Sequence, residues 1–334
     1  MYNERMQMRV CIFGAGAVGG HLAARLAASG QDPLVIGRGA HLQAMKQDGL
    51  TLKIGDAEIS HPVRCSDDPF SEDAQDVIIT TLKGPALPGA AKALAHLCHP
   101  DTVIVYALNG IPWWYFFGLD DRKLPILDPG QVLWDQVGVE RTIGCVVYSA
   151  NEIVKPGVVL NRSAQRNRFV LGEPNGTKTQ RVASISAALE RAGLEAPVTP
   201  RIRTEIWRKF ITGNLTLSTL AAMTQSSVDF LLARPDMREL ARSVAAEGMA
   251  LAKALGVDLE DYDFAASLDP NNVPKGNRPS MLQDLELGRP MEIDSFIVVI
   301  QEMARMTGTP MPSFDIVAAL LKTRAAAAGL WNTH

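Results

Sequence analysis

The first half of the chain alternates short, unbroken apolar runs with alanine-rich stretches. Val10-Cys11-Ile12-Phe13, Leu34-Val35-Ile36, Val77–Leu82 and Val103–Leu108 are apolar or β-branched, with no polar residue at every second position. Unbroken rather than alternating apolarity marks strands covered on both faces, as in a parallel sheet. Val18–Ser29 and Gly89–Leu97 lie between them with helical composition, so strand and helix repeat as in a doubly wound α/β domain. Thr51–Ile54, Gly55-Asp56 and Ala57–Ile59 read as a hairpin turning on two residues, glycine first. Thr142–Tyr148, Gly157–Asn161 and Arg168–Leu171 read as three more strands, expected to extend the sheet by antiparallel pairing.

The pattern changes at Pro197-Val198-Thr199-Pro200. Beyond it the periodicity is helical: Thr204–Leu220, Pro235–Leu255, Ser280–Glu286, Ser295–Thr307 and Asp315–Ala328. Pro235 suits a first helical position, and Gly and Pro otherwise fall between these segments, apart from Gly213 and Gly248. The expected architecture is an α/β, Rossmann-type dinucleotide-binding domain over residues 1–199 followed by an all-helical domain over residues 200–334. A length of 334 residues fits two domains of ~100–200 each.

Composition narrows the class. With 47% hydrophobic and 21% charged residues the chain is neither disordered nor fibrous. Its 33 basic and 36 acidic residues leave a net charge of −3, so nothing drives binding to a nucleic-acid backbone. The N-terminal MYNERMQMRV is charged and lacks the apolar core of a signal peptide, and no stretch approaches the ~20 apolar residues of a membrane helix. Four cysteines are widely spaced without a CxxC pair, which favours a reducing compartment. The expectation is a cytoplasmic protein with neither nucleic acid nor membrane as a partner. His96, Cys98 and His99 lack a zinc-ligand spacing, so no metal is expected.

Gly14-Ala15-Gly16-Ala17-Val18-Gly19 follows the first strand and opens the first helix, the context in which GxGxxG binds a dinucleotide. Gly14 permits the turn, Gly16 lets backbone approach a pyrophosphate, and Gly19 lets helix and strand pack closely. The second strand ends Ile36-Gly37-Arg38, with no carboxylate for a ribose 2′-hydroxyl. An arginine there forms forked contacts with a 2′-phosphate, which favours NADP(H). Lys83 and Asn109 stand at the C-terminal ends of neighbouring strands, where ligands bind in open α/β sheets. Lys209 lies between Trp207 and Phe210; its stem can cover the rings, or its ammonium can serve as a proton donor in a cleft.

These residues carry a resemblance. GAGAVGG at Gly14–Gly20, TLK at Thr81–Lys83, NG at Asn109–Gly110, EIWRK at Glu205–Lys209 and SMLQDLELGRPMEID at Ser280–Asp294 are similar to motifs of the ketopantoate reductases. Members of that family, the 2-dehydropantoate 2-reductases, reduce a 2-oxo acid with NADPH in pantothenate biosynthesis. The resemblance runs nearly end to end. It implies Lys209 as general acid and Glu292 as the glutamate that binds substrate and supports catalysis beside the cofactor. Ser280 would hold the substrate carboxylate, and Asn109 and Lys83 would line the nicotinamide and substrate site. Gly14, Ala15, Gly16, Ala17, Val18 and Gly19, with Arg38, would hold NADP(H).

Two departures qualify it. The family spaces its lysine and next asparagine four apart, whereas Asn214 stands five after Lys209, and Ser218-Thr219 replaces a second Asn-Pro. Either Gly213 relaxes the helix into a π-bulge that restores Asn214 to the substrate side, or that role is lost. Pro112-Trp113-Trp114-Tyr115-Phe116-Phe117 is unusually aromatic and reads either as burial over the sheet edge or as a reshaped substrate pocket. The expected activity is reduction of 2-dehydropantoate to pantoate. The alternatives are a bulkier 2-oxo acid outside pantothenate biosynthesis, or an NADP(H)-sensing regulator without catalysis. The late apolar surfaces, such as Ile316–Leu321, suit packing within the chain or across a homodimer.

Overall fold

The unbroken apolar runs become the centre of a seven-stranded sheet in the computed structural model, which describes residues 8–163 and 167–332. The charged residues 1–7, part of the stretch read for a signal peptide, lie outside them. The chain forms two compact units, Met1–Leu108 with Trp114–Ile202 and Asn109–Trp113 with Arg203–His334.

In the first unit the elements run β1 (Val10–Phe13), α1 (Ala17–Ala28), β2 (Leu34–Ile36), α2 (Gly39–Asp48), β3 (Leu50–Ile54), β4 (Ala57–His61), β5 (Arg64–Ser66), β6 (Gln75–Thr80), α3 (Leu87–His96), β7 (Cys98–Ala107), β8 (Thr142–Tyr148), β9 (Asn151–Lys155), β10 (Val158–Asn161), β11 (Arg168–Gly172) and α4 (Gln180–Arg191). The large sheet has the order β11-β8-β7-β6-β1-β2-β5 and is parallel except for edge strand β11. The order reverses between β1 and β6, and the crevice at such a switch point is where doubly wound folds take ligands.

The expectation that three late strands extend this sheet by antiparallel pairing needs correction. Only β11 does so: β8 joins β7 in parallel, and β10 leaves for a second sheet of order β4-β3-β10-β9. That sheet is built on the expected two-residue hairpin, where Ile54 pairs with Ala57. It covers the side of α1 facing away from the large sheet. A Cβ on Gly20 would come within 2.7 Å of Val159 Cγ2, so α1 is gripped from both sides and seven of its twelve residues are buried.

One of the buried residues of α1 is ionisable. His21 is wholly inaccessible, with Nδ1 3.3 Å from the Ser149 hydroxyl. Burial, with a lesser contribution from the Arg25 charge, lowers its pKa to about 3. The unfolded chain therefore takes up this proton first, so the stability His21 contributes is complete above pH ~6.5 and is lost as pH falls toward 3. Urea titrations should show a loss of up to about 1.4 kcal/mol per pH unit from this group below pH ~6. His21→Gln should flatten that slope; an unchanged slope would mean His21 is protonated in the folded protein.

The other chemically suggestive cluster is locally engaged. His99 Nε2 lies 3.1 Å from Asp76 Oδ1, the Cys98 thiol donates to Leu94 O at 3.1 Å, and the His96 ring packs on Phe70. Among the described residues no helix is long and apolar enough to cross a membrane.

The second unit is helical: α5 (Ile202–Lys209), α6 (Thr219–Thr224), α7 (Val228–Ala233), α8 (Pro235–Ala254), α9 (Phe264–Ser267), α10 (Ser280–Glu286), α11 (Val299–Thr307) and α12 (Pro312–Ala327). The expected single helix over Thr204–Leu220 is interrupted. A π-helix, Phe210–Ser218, joins α5 to α6, and a shorter one, Asp294–Val298, leads into α11. Gly248 in α8 marks a close crossing, since a Cβ there would lie 2.6 Å from Leu215 Cδ2 of the longer π-helix.

Candidate active site

The glycine-rich turn sits at the switch point of the first unit. Gly14 takes φ +113°, its N–H donates to Ile36 O at 2.9 Å, and its carbonyl accepts from the Thr81 hydroxyl at 2.6 Å. Thr81 follows β6, so the turn is tied to both neighbours of β1. A Cβ on Gly19 would fall 2.0 Å from Gly14 O and 2.6 Å from Thr81 Oγ1, which only glycine avoids. Gly16 differs: φ is −72°, and no protein atom lies within 4 Å of where its Cβ would be. The fold needs Gly14 and Gly19 as glycine, but it does not need Gly16.

Gly16 is also the N-cap of α1, with no side chain capping the helix amides. Uncapped amides, a positive dipole end and open space over a glycine suit the pyrophosphate of a dinucleotide. Gly37 packs against the turn, where its Cβ would be 2.6 Å from that of Ala15, so Arg38 emerges beside it. Arg38 is exposed and makes no hydrogen bond or ion pair with a described residue. Lys83 is exposed, three residues past β6.

In the second unit an aromatic chain positions Lys209. Trp207 is fully buried and meets Phe210 edge-to-face at 5.8 Å, and Phe210 meets Phe296 in the same way at 6.1 Å. Phe296 then covers Gly110, whose φ is +82° and whose Cβ would be 2.8 Å from both the Phe296 ring and Ser295 O. Ile111 N–H donates to Ser295 O at 3.2 Å. The loop after β7 is thereby fixed to the shorter π-helix, and Asn109 Oδ1 accepts a hydrogen bond from Lys209 Nζ at 2.5 Å. Two residues a hundred positions apart are brought into contact.

Glu292 is buried just before the same π-helix. Its segment is held by the chain's last described residues: Met291 N–H donates to Leu330 O at 3.0 Å, and Trp331 Nε1 donates to Asp294 Oδ1 at 2.9 Å. Nothing in the local sequence signals this strap. Thr81 and Gly37 were likewise visible only as members of short motifs.

Asn214 lies in the longer π-helix. With i→i+5 bonding a turn takes about four to five residues. The helix thus takes the π form considered for Gly213; Asn214 itself is buried and Gly213 is exposed. Ser280 is the exposed first residue of α10, which packs against α6 and the longer π-helix. Of the aromatic segment, Trp113 through Phe116 are buried. Trp114 presses on β8, where a Gly144 Cβ would be 2.7 Å from its Cη2, and Tyr115 meets Phe116 edge-to-face. Trp114, Tyr115 and Phe116 are core, and Phe117 is half-buried.

Comparison with known proteins gives consistent matches. Residues 10–176 match the family described as ketopantoate reductase PanE/ApbA, and residues 201–325 match its C-terminal counterpart. A 2-dehydropantoate 2-reductase of Mesorhizobium japonicum is 39% identical over 97% of this chain and 100% of its own. The crystal structure of a candidate ketopantoate reductase from Ralstonia solanacearum MolK2 superposes with a TM-score of 0.89 at 36% identity, covering 97% of this chain and 99% of that one. D-mandelate dehydrogenase, in its ternary structure with NADH and anilino(oxo)acetate, shares the fold: TM-score 0.83 at 20% identity, covering 97% and 100%.

Proposed function

This chain belongs to the ketopantoate reductase family, and we propose that it uses NADPH to reduce a 2-oxo acid, ketopantoate among its substrates, with Lys209 as the general acid. The observation that carries this reading is the Lys209–Asn109 hydrogen bond. The bond steers a flexible ammonium toward Asn109, which belongs to the same compact unit.

A bound reduced nicotinamide supplies hydride to the substrate's carbonyl carbon. The chain's own groups do the rest. Lys209 Nζ holds the proton that the carbonyl oxygen takes as charge develops on it, and its positive charge stabilises that oxygen beforehand. Asn109 fixes the direction of Nζ and faces cofactor and substrate. Glu292 binds the substrate and supports catalysis. Ser280 receives the carboxylate, and Asn214 supports the substrate from the longer π-helix. Gly14 to Gly19 hold the pyrophosphate, Arg38 the 2′-phosphate, and Lys83 the nicotinamide half.

The test is purified protein with NADPH and a panel of 2-oxo acids, followed by loss of nicotinamide absorbance and by identification of the 2-hydroxy acid. Tight NADPH binding with no turnover on any acid would overturn the enzymatic reading in favour of a sensor.

The two kinds of glycine in the turn separate binding from folding. Gly16→Ala should leave the melting temperature within a degree or two while weakening NADPH, because its methyl meets only the space proposed for the ligand. Gly19→Ala should destabilise by about 1–3 kcal/mol through overlap with backbone. Equal melting temperatures for the two variants would contradict this division.

A further inference from the structure

Gly213 is a glycine that the fold does not explain. Glycine weakens a helix relative to alanine, so one inside a helix needs a reason. Gly248 has one, the close crossing on Leu215. Beyond its own helix backbone and chain neighbours, Gly213 has no atom of a described residue within 4 Å of its Cβ position, and its φ lies outside the left-handed region. The π geometry is not the reason either, since the π-helix Asp294–Val298 contains no glycine and a third, Leu133–Gly138, has one only at its last residue, at φ +88°. Among the described glycines other than Gly84, three combine ordinary φ with open space at the Cβ: Gly16, Gly89 and Gly213. Gly16 faces the proposed pyrophosphate cradle. Gly89 is exposed in the first turn of α3, where the amide has no intrahelical partner to lose. Gly213 alone stands mid-helix.

Its direction is also defined. Phe210, Ile211, Thr212, Asn214, Leu215, Thr216 and Ser218 are buried, whereas Lys209, Gly213 and Leu217 are at least partly exposed. Exposure recurs every four residues along one line, and Glu205 and Lys209 lie on it. Gly213 therefore lies one turn beyond the ammonium, on the same face, as bare backbone bordering open volume.

We propose that Gly213 is a specificity-determining position: its missing side chain leaves room beside Lys209 for the substituent on C3 of the 2-oxo acid, admitting branched acids that a side chain there would exclude. This rests on the reading of Lys209 as the group that meets the substrate carbonyl. Residue 213 selects among substrates and takes no part in proton transfer.

The experiment compares wild type, Gly213→Ala and Gly213→Val on pyruvate, 2-oxobutyrate, 3-methyl-2-oxobutyrate and ketopantoate, with NADPH affinity and melting temperature measured alongside. In the valine variant kcat/KM for the two branched acids should fall about 10–200-fold relative to pyruvate, the range that one or two methyl groups control in a pocket. The alanine variant should show a smaller shift in the same order and melt no lower than wild type. NADPH affinity should not change. If the valine variant is unstable, the alanine profile decides by itself. An unchanged profile, an equal loss on all four acids, or a loss traced to weaker NADPH binding would overturn the proposal while leaving the reductase reading intact. A wild type that reduces none of the four would remove both.

Discussion

Lys209→Ala should lower kcat by a factor on the order of 10²–10⁴, the usual contribution of a positioned general acid. The protein should fold normally, because Trp207 and Phe210 on either side of Lys209 are fixed by their own edge-to-face contacts. NADPH affinity should persist, since the lysine serves the substrate oxygen. Lys209→Arg is expected to rescue little: a guanidinium keeps the charge but gives up a proton poorly and cannot reproduce the geometry of Nζ against Asn109. Asn109→Ala removes the steering group but not the acid, so it should fall between Lys209→Ala and wild type, with the loss in kcat larger than in KM. Near-normal turnover in Lys209→Ala would end the assigned mechanism, and a neutral Asn109→Ala would reduce the hydrogen bond to packing.

The second large effect concerns cofactor choice. Arg38 is exposed beside the glycine-rich turn without a partner among the described residues, and no carboxylate stands at the end of β2. If it receives a 2′-phosphate, Arg38→Ala should weaken NADPH by about 1.5–3 kcal/mol, some 10- to 150-fold, and leave NADH nearly unchanged. The loss should shrink with added salt, because an exposed ion pair is screened. Titrating both nucleotides by nicotinamide fluorescence reads the difference directly. Equal weakening of both would show that Arg38 serves only the start of α2.

Some of this could be read from the chain by itself. Unbroken apolar runs specify a parallel sheet because only strands covered on both faces need them, and the order of strand, glycine turn and helix marks Gly14–Gly19 as a candidate dinucleotide turn. The change to helical period near residue 200 likewise needs no coordinates. These are local properties, set by burial pattern and backbone freedom.

Other features depend on partners far away in the chain. Whether β10 pairs with β11 or β3 is decided by α1, whose outward side needs a second cover; the strand's own residues suit either sheet. In the sequence Lys209 suits a covering role and a chemical one equally; that its Nζ meets Asn109, a hundred positions earlier, is decided only in three dimensions. The i→i+5 bonding of the helix that carries Asn214, which packs against α8, cannot be inferred from spacing. Gly16 and Gly213 look like any other glycines in the sequence. Only tertiary structure shows that no protein atom claims the space above them, because an unfilled volume is a property of everything around a residue and not of the residue itself.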